Sequence, residues 1–250
     1  MTAESEFGLE QAITRNELEL HYQPIFEIDG KRIRGVEALV RWNHPRKGLM
    51  SPAQFLPTAE REGLMHELTA WVLREALLQA SVWRKDGVGL NVSVNIAASD
   101  LNDPRFVRLL DRTLHVTAGR STFSAEIRAE EATGASGSGL RDLSARDIPI
   151  ALDDVTSVMQ LDGATQWPID TVKLGRDVTA RVLDDPRAAD TARGIARFAA
   201  DRGVALIAVG VEDQSMLSFA ETLGCDGAQG YGLAKPMRSE TLRRWAQGRV

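Results

Sequence analysis

Two hydrophobic patterns alternate along the chain. Short apolar runs rich in β-branched residues occur at 18–28 (LELHYQPIFEI), 33–42 (IRGVEALVRW), 90–97 (LNVSVNIA), 123–129 (FSAEIRA), 148–154 (IPIALDD), 171–175 (TVKLG), 205–210 (ALIAVG) and 228–234 (AQGYGLA). Their length and composition predict eight strands. Between most of them lie amphipathic stretches, including 64–87, 104–116 and the Ala- and Arg-rich segment 186–202. Ser51-Pro52-Ala53-Gln54 carries a helix start: a Ser cap, Pro at the first helical position and Gln three residues on. The segment ATGASGSG (132–139) reads as a flexible loop. Eight strands alternating with helices predict an α/β fold of the (β/α)8, TIM-barrel type. The first connection departs from it. EIDGKRI (27–33) is too short for a crossover helix, and Asp29-Gly30 is a hairpin turn signal, so the first strand is expected antiparallel to the second.

Bulk composition narrows the picture. At 250 residues a single domain of this type is ordinary, and its core is expected from about residue 9 to 245. Methionine at position 1 fits a stand-alone protein, and the length equally fits a piece of a longer chain. A net charge of −5 argues against nucleic acid or an anionic membrane as partner, so an anionic ligand would need a local cation or metal. Cys225 is the only cysteine, which fits a reducing cytoplasm and a small packed residue rather than a nucleophile. No apolar run is long enough for a membrane helix and no signal pattern opens the chain. The four histidines are isolated, and the tryptophans read as packing residues.

In such a barrel the chemistry sits at the C-terminal ends of the strands. Polar residues fall there repeatedly: Glu37 and Arg41 on the second strand, Asn95 ending the third, Glu126 on the fourth, Asp153 and Asp154 ending the fifth, Lys173 on the sixth and Gln229 opening the eighth. An acid inside an apolar strand costs several kcal/mol unless paired or metal-bound. One such acid alone reads as a structural salt bridge. Four carboxylates and an amide converging on one mouth instead supply hard oxygen donors for Mg²⁺, Mn²⁺ or Ca²⁺. Asp153-Asp154 would let one carboxylate bridge two ions, and Arg41 and Lys173 would face an anionic substrate.

From Glu37-Ala38-Leu39 onward the sequence resembles a known family. EALVRWNHPRKGLMSPAQFLPTAEREGL (37–64) is similar to the signature of EAL domains, phosphodiesterases that open cyclic di-GMP to linear pGpG. YQPI (22–25), SVNIAASDL (93–101), ALDD (151–154), PIDTVKL (168–174) and LGCDGAQGYGLAKPM (223–237) agree with it. The resemblance implies a modified (β/α)8 barrel with Mg²⁺ or Mn²⁺ held by Glu37, Asn95, Glu126 and Asp153. Asp154 would serve a second ion or the attacking water. Lys173 would hold that water and a phosphate. Arg41 would contact phosphate, and Gln23, Leu39 and Gln229 would line the cyclic di-GMP site. It also implies sensor or diguanylate cyclase domains as neighbours in longer chains, and leaves dimerisation open.

Four departures weaken the catalytic part. The family's seventh strand ends Ala-Glu-Gly-Val-Glu, and its first Glu, needed for turnover, is here Val209, while the second is kept as Glu212. The fourth-strand pattern Glu-x-Thr-Glu reads Glu126-Ile127-Arg128-Ala129, without the final acid. The loop Phe-Gly-Thr-Gly-Tyr-Ser-Ser becomes Val155-Thr156-Ser157-Val158-Met159-Gln160, glycine-free and one residue shorter up to the lysine. Gly175 also replaces the acid usual two residues after that lysine. The expected function is a degenerate EAL domain acting as a cyclic di-GMP receptor or regulatory module, with little or no hydrolysis. The alternatives are an active phosphodiesterase, in which Glu212 substitutes for the missing acid, and an interaction barrel that binds no nucleotide.

Overall fold

The computed structural model describes residues 8–117, 123–132 and 137–247. Its strands are β1 (Leu18–Glu27), β2 (Ile33–His44), β3 (Gly48–Met50), β4 (Val92–Asn95), β5 (Phe123–Arg128), β6 (Ile150–Val155), β7 (Thr171–Leu174), β8 (Ala205–Val209), β9 (Gly227–Gln229) and β10 (Met237–Arg238). The barrel runs β1–β2–β4–β5–β6–β7–β8–β9 and closes because β1 also pairs with β9. Neighbours from β2 round to β9 are parallel, whereas β1 is antiparallel to both strands it joins. The hairpin predicted at Asp29-Gly30 forms as expected. Gly30 takes φ +69°, donates to Glu27 O at 2.9 Å, and Asp29 Oδ1 accepts from Lys31 N.

The helices are α1 (Leu9–Thr14), α2 (Pro52–Glu62), α3 (Met65–Lys85), α4 (Pro104–Thr117), α5 (Gly137–Ser144), α6 (Arg176–Thr179), α7 (Pro186–Arg202), α8 (Gln214–Leu223) and α9 (Ser239–Ala246). Gln54 returns its Oε1 to the Ser51 backbone N–H at 2.7 Å, so the predicted start of α2 is where it should be. Asp185 caps α7 by accepting from Arg187 N, and Gly203 at φ +65° ends it. None of these helices is long and apolar enough to cross a membrane.

Two expectations need correction, and two short strands went unpredicted. The eighth predicted strand, 228–234, pairs only over Gly227–Gln229. Beyond it the chain turns: Gly232 and Leu233 donate to Val211 O and Gly230 O, and Gly230 lies too close to the Val211 backbone for any side chain. The short strands β3 and β10 carry too few residues to show a pattern. Of the expected loop 132–139, residues 133–136 lie outside the described residues, and 137–139 open α5.

Alternation along the strands separates the core from the site. Val172 and Leu174 join the hydrophobic cluster, which places Lys173 on the opposite face. Ala125 and Ile127 do the same for Glu126. Cys225 is buried as expected, and burial pushes its thiol up to about 12, so it stays protonated.

Candidate functional site

The barrel brings together residues more than a hundred positions apart. Lys173, only 2% exposed, sends its Nζ to Glu126 Oε2 at 2.7 Å and to Glu37 Oε2 and Asp153 Oδ1 at 3.3 Å. Asn95 Nδ2 donates to Glu37 Oε1 and Gln229 Nε2 to Glu37 Oε2, each at 2.8 Å. Six strands therefore meet at one point. The pairing register also sets Gln23 opposite Glu37, and Gln23 Nε2 donates to Ala234 O at 3.2 Å.

Charge is unbalanced here. One ammonium faces three carboxylates. Burial pushes the Glu126 carboxyl up to about 8, with Glu37 and Asp153 adding to the rise against the pull of Lys173. Burial also works against ionised Glu37, but Lys173, Gln229 and Asn95 together hold its carboxyl below the usual range. Lys173 is held well above its ordinary range by the three acids, against the cost of burial.

The chemistry of this donor set fits a hard divalent cation, which would relieve the surplus of negative charge. Gln229 Oε1, buried with no hydrogen-bond partner, is a further oxygen that a cation or a ligand donor would satisfy. The set is not gathered as a chelate: among the described residues no three acidic, His or Cys side chains are so grouped. The ammonium of Lys173 is the cation at the centre, and Asn95 turns its amide nitrogen rather than its oxygen to Glu37. The amide oxygen of Asn95 remains free of that bond as an acceptor.

Other sequence-derived candidates are placed differently. Lys173 was expected to reach a phosphate, but it is enclosed by carboxylates, and the Arg41 guanidinium is the more accessible cation. Arg41 is half-buried and donates to Val40 O at 2.9 Å. Glu212 is not brought into the cluster. It is exposed beyond β8 and pairs with Arg176 at 2.9 Å. Val209 ends β8 beside Gln229 and is part-exposed. Asp154 adopts φ +53°, a left-handed conformation uncommon outside glycine, where the β6–β7 register breaks. Its carboxyl is raised by burial first and by Asp153 next. The loop after it is pinned from within, since Gln160 Oε1 accepts from Thr156 N at 2.8 Å and Ser157 N at 3.0 Å. It closes in a short 3-10 turn over Val158–Leu161. His44 and His66 serve structure. His44 Nδ1 accepts from Arg46 N and Lys47 N, and His66 pairs with Asp100.

Of Glu130 and Glu131, which follow Ala129, the register allows at most one on the inner face, and the role of Arg128 was not read from the sequence. Ala129 is buried and its side chain anchors nothing, whereas Glu131 Oε2 accepts from Ala98 N at 3.3 Å and so ties the end of β5 to the loop after β4. Arg128 lines a cavity of about 580 Å³ at the mouth with Leu39, Asn95 and Glu126. The sequence signal was an arginine where the resembled pattern has threonine.

A sequence model of the EAL domain matches residues 8–236. The chain is 34% identical over 252 residues to a cyclic di-GMP phosphodiesterase of Pseudomonas aeruginosa, covering 95% of this chain and 42% of that protein. It is 33% identical over 248 residues to an uncharacterised protein of Mycobacterium tuberculosis, covering 93% and 79%. Among solved structures, the MucR phosphodiesterase in complex with cyclic di-GMP superposes with a TM-score of 0.86 at 32% identity, covering 94% of this chain and 97% of that one. The chain spans less than half the length of the phosphodiesterase relative. Barrel, antiparallel first strand, buried acid–lysine cluster and sequence agree, and the chain belongs to the EAL domain family.

Proposed function

We propose that this domain binds cyclic di-GMP and acts as a receptor or regulatory module with little or no hydrolysis. The observation that carries this reading is Val209 at the end of β8, beside an otherwise kept cluster of Glu37, Glu126, Asp153 and Lys173. Valine can neither hold a metal nor move a proton. Losing one general acid or base costs about 10²–10⁴ in rate. Glu212, exposed and engaged with Arg176, is poorly placed to substitute. Binding asks less of the site, and the cations and the mouth cavity remain.

Mg²⁺ or Mn²⁺ would be held by Glu37, Asn95, Glu126 and Asp153, and when bound would supply Lewis-acid polarisation of a phosphate. Around it, Lys173 fixes the positions of three carboxylates, Gln229 orients Glu37, and Arg41 offers charge to the ligand. The bifunctional relative MucR of P. aeruginosa, a diguanylate cyclase and phosphodiesterase, supports a cyclase domain as the partner. The identity to a phosphodiesterase favours one second reading, residual turnover.

Calorimetric titration of cyclic di-GMP in the presence of Mg²⁺ separates these. Saturable heat that then stops is expected. A steady heat with pGpG accumulating would make the domain an enzyme, and a flat trace would make it an interaction scaffold.

A further inference from the structure

Arg128 ends β5 and is held by its own turn. Its Nε donates to Glu131 Oε1 at 2.6 Å, its Nη2 meets the same carboxylate, and its Nη1 lies 3.0 Å from Glu130 Oε1. Glu131 is itself tied to Ala98 N. The guanidinium is thus exposed yet positioned, with terminal N–H groups to spare. The cavity it lines has apolar walls, including Leu39, Leu56, Pro57 and Met65, and Glu60 and Glu131 stand on the same lining. The charge of Lys173 is already engaged by three carboxylates below.

This combination matches one kind of ligand. Apolar walls of Leu, Pro and Met suit the faces of a purine. A guanidinium forks onto two acceptors, and guanine presents two on one edge, O6 and N7. Carboxylates beside it accept from the guanine N1–H and N2–H₂ edge. Adenine would set its N6–H₂ donor against the arginine. A bare phosphate would match the guanidinium but leave the apolar walls without purpose. Resting on the cyclic di-GMP reading above, we propose that Arg128 is a specificity-determining residue that reads the O6/N7 edge of a guanine seated in this cavity. Threonine, the residue of the family pattern, could not make that fork.

The test is calorimetry with Mg²⁺ present, using cyclic di-GMP and its 7-deaza analogue, in which each N7 is a C–H. The wild type is expected to bind the analogue about tenfold more weakly. Arg128→Ala and Arg128→Thr should bind the two ligands alike, both more weakly than wild type binds cyclic di-GMP. Equal binding of both ligands by the wild type overturns the proposal, and this comparison needs no variant to fold. So does a gap that persists undiminished in the variants. Failure of the wild type to bind either ligand overturns the cyclic di-GMP reading itself, and the role of Arg128 with it.

Discussion

At the scale of single residues, Lys173 does most to hold the site in shape. Removing one partner of a buried ion pair leaves the others desolvated and unpaired, at about 3–5 kcal/mol. Lys173→Met should fall near the low end at neutral pH, because Glu126, pushed up to about 8, already holds its proton there and leaves no charge of its own unpaired. Urea unfolding at pH 7 and pH 9 checks this. A larger loss at pH 9 is expected, and an equal loss at both would mean that Glu126 does not titrate in this range. Val209→Glu restores the acid of the family pattern beside Gln229. It should give at most weak turnover, measured as pGpG release, since the loop after Asp154 remains altered. Family-like activity from that change alone would show that the loop matters little.

At the scale of elements, the β6 end and the β7 end form a coupled pair. Asp154 is left-handed, and a Cβ on Gly175 would lie 2.6 Å from Asp154 Oδ1 and 2.7 Å from Thr156 Cγ2. The acid missing after Lys173 and the glycine-free loop are thus one change: the loop occupies the space that the acid would need. Gly175→Asp should destabilise by about 1–3 kcal/mol, through overpacking with added like charge. Thermal unfolding checks it, and a neutral result would mean that the loop moves aside freely.

At the scale of the whole molecule, the cluster makes stability depend on pH. The folded-state pKa of Glu126 lies above its ordinary value, so between about 4.5 and 8 the folded state holds a proton that the unfolded chain has lost. Stability from this group therefore falls as pH rises through that window. Asp154, raised as well, acts in the same direction. Glu37, lowered, adds stability that is lost only as pH falls below the ordinary carboxylate range. The metal-free protein should lose stability from pH 5 to pH 8, and Glu126→Gln should flatten that slope. A slope unchanged in the variant would remove Glu126 as its cause.

The local patterns were sufficient for seven of the eight barrel strands, the span of α7, the cap of α2 and the antiparallel first hairpin, because periodicity, capping and turn chemistry act within a few residues. The acids inside apolar strands announced a site for the same reason: a buried charge demands a partner. The partners themselves were decided by closure of the barrel. Only closure sets Lys173 among Glu37, Glu126 and Asp153, which no local pattern relates. Only tertiary packing leaves Glu212 outside with Arg176, brings Glu131 to Ala98 and opens a cavity beside Arg128. Long-range charge pairing and the space between elements depend on which strands meet and in what register, and the one-dimensional pattern carries neither.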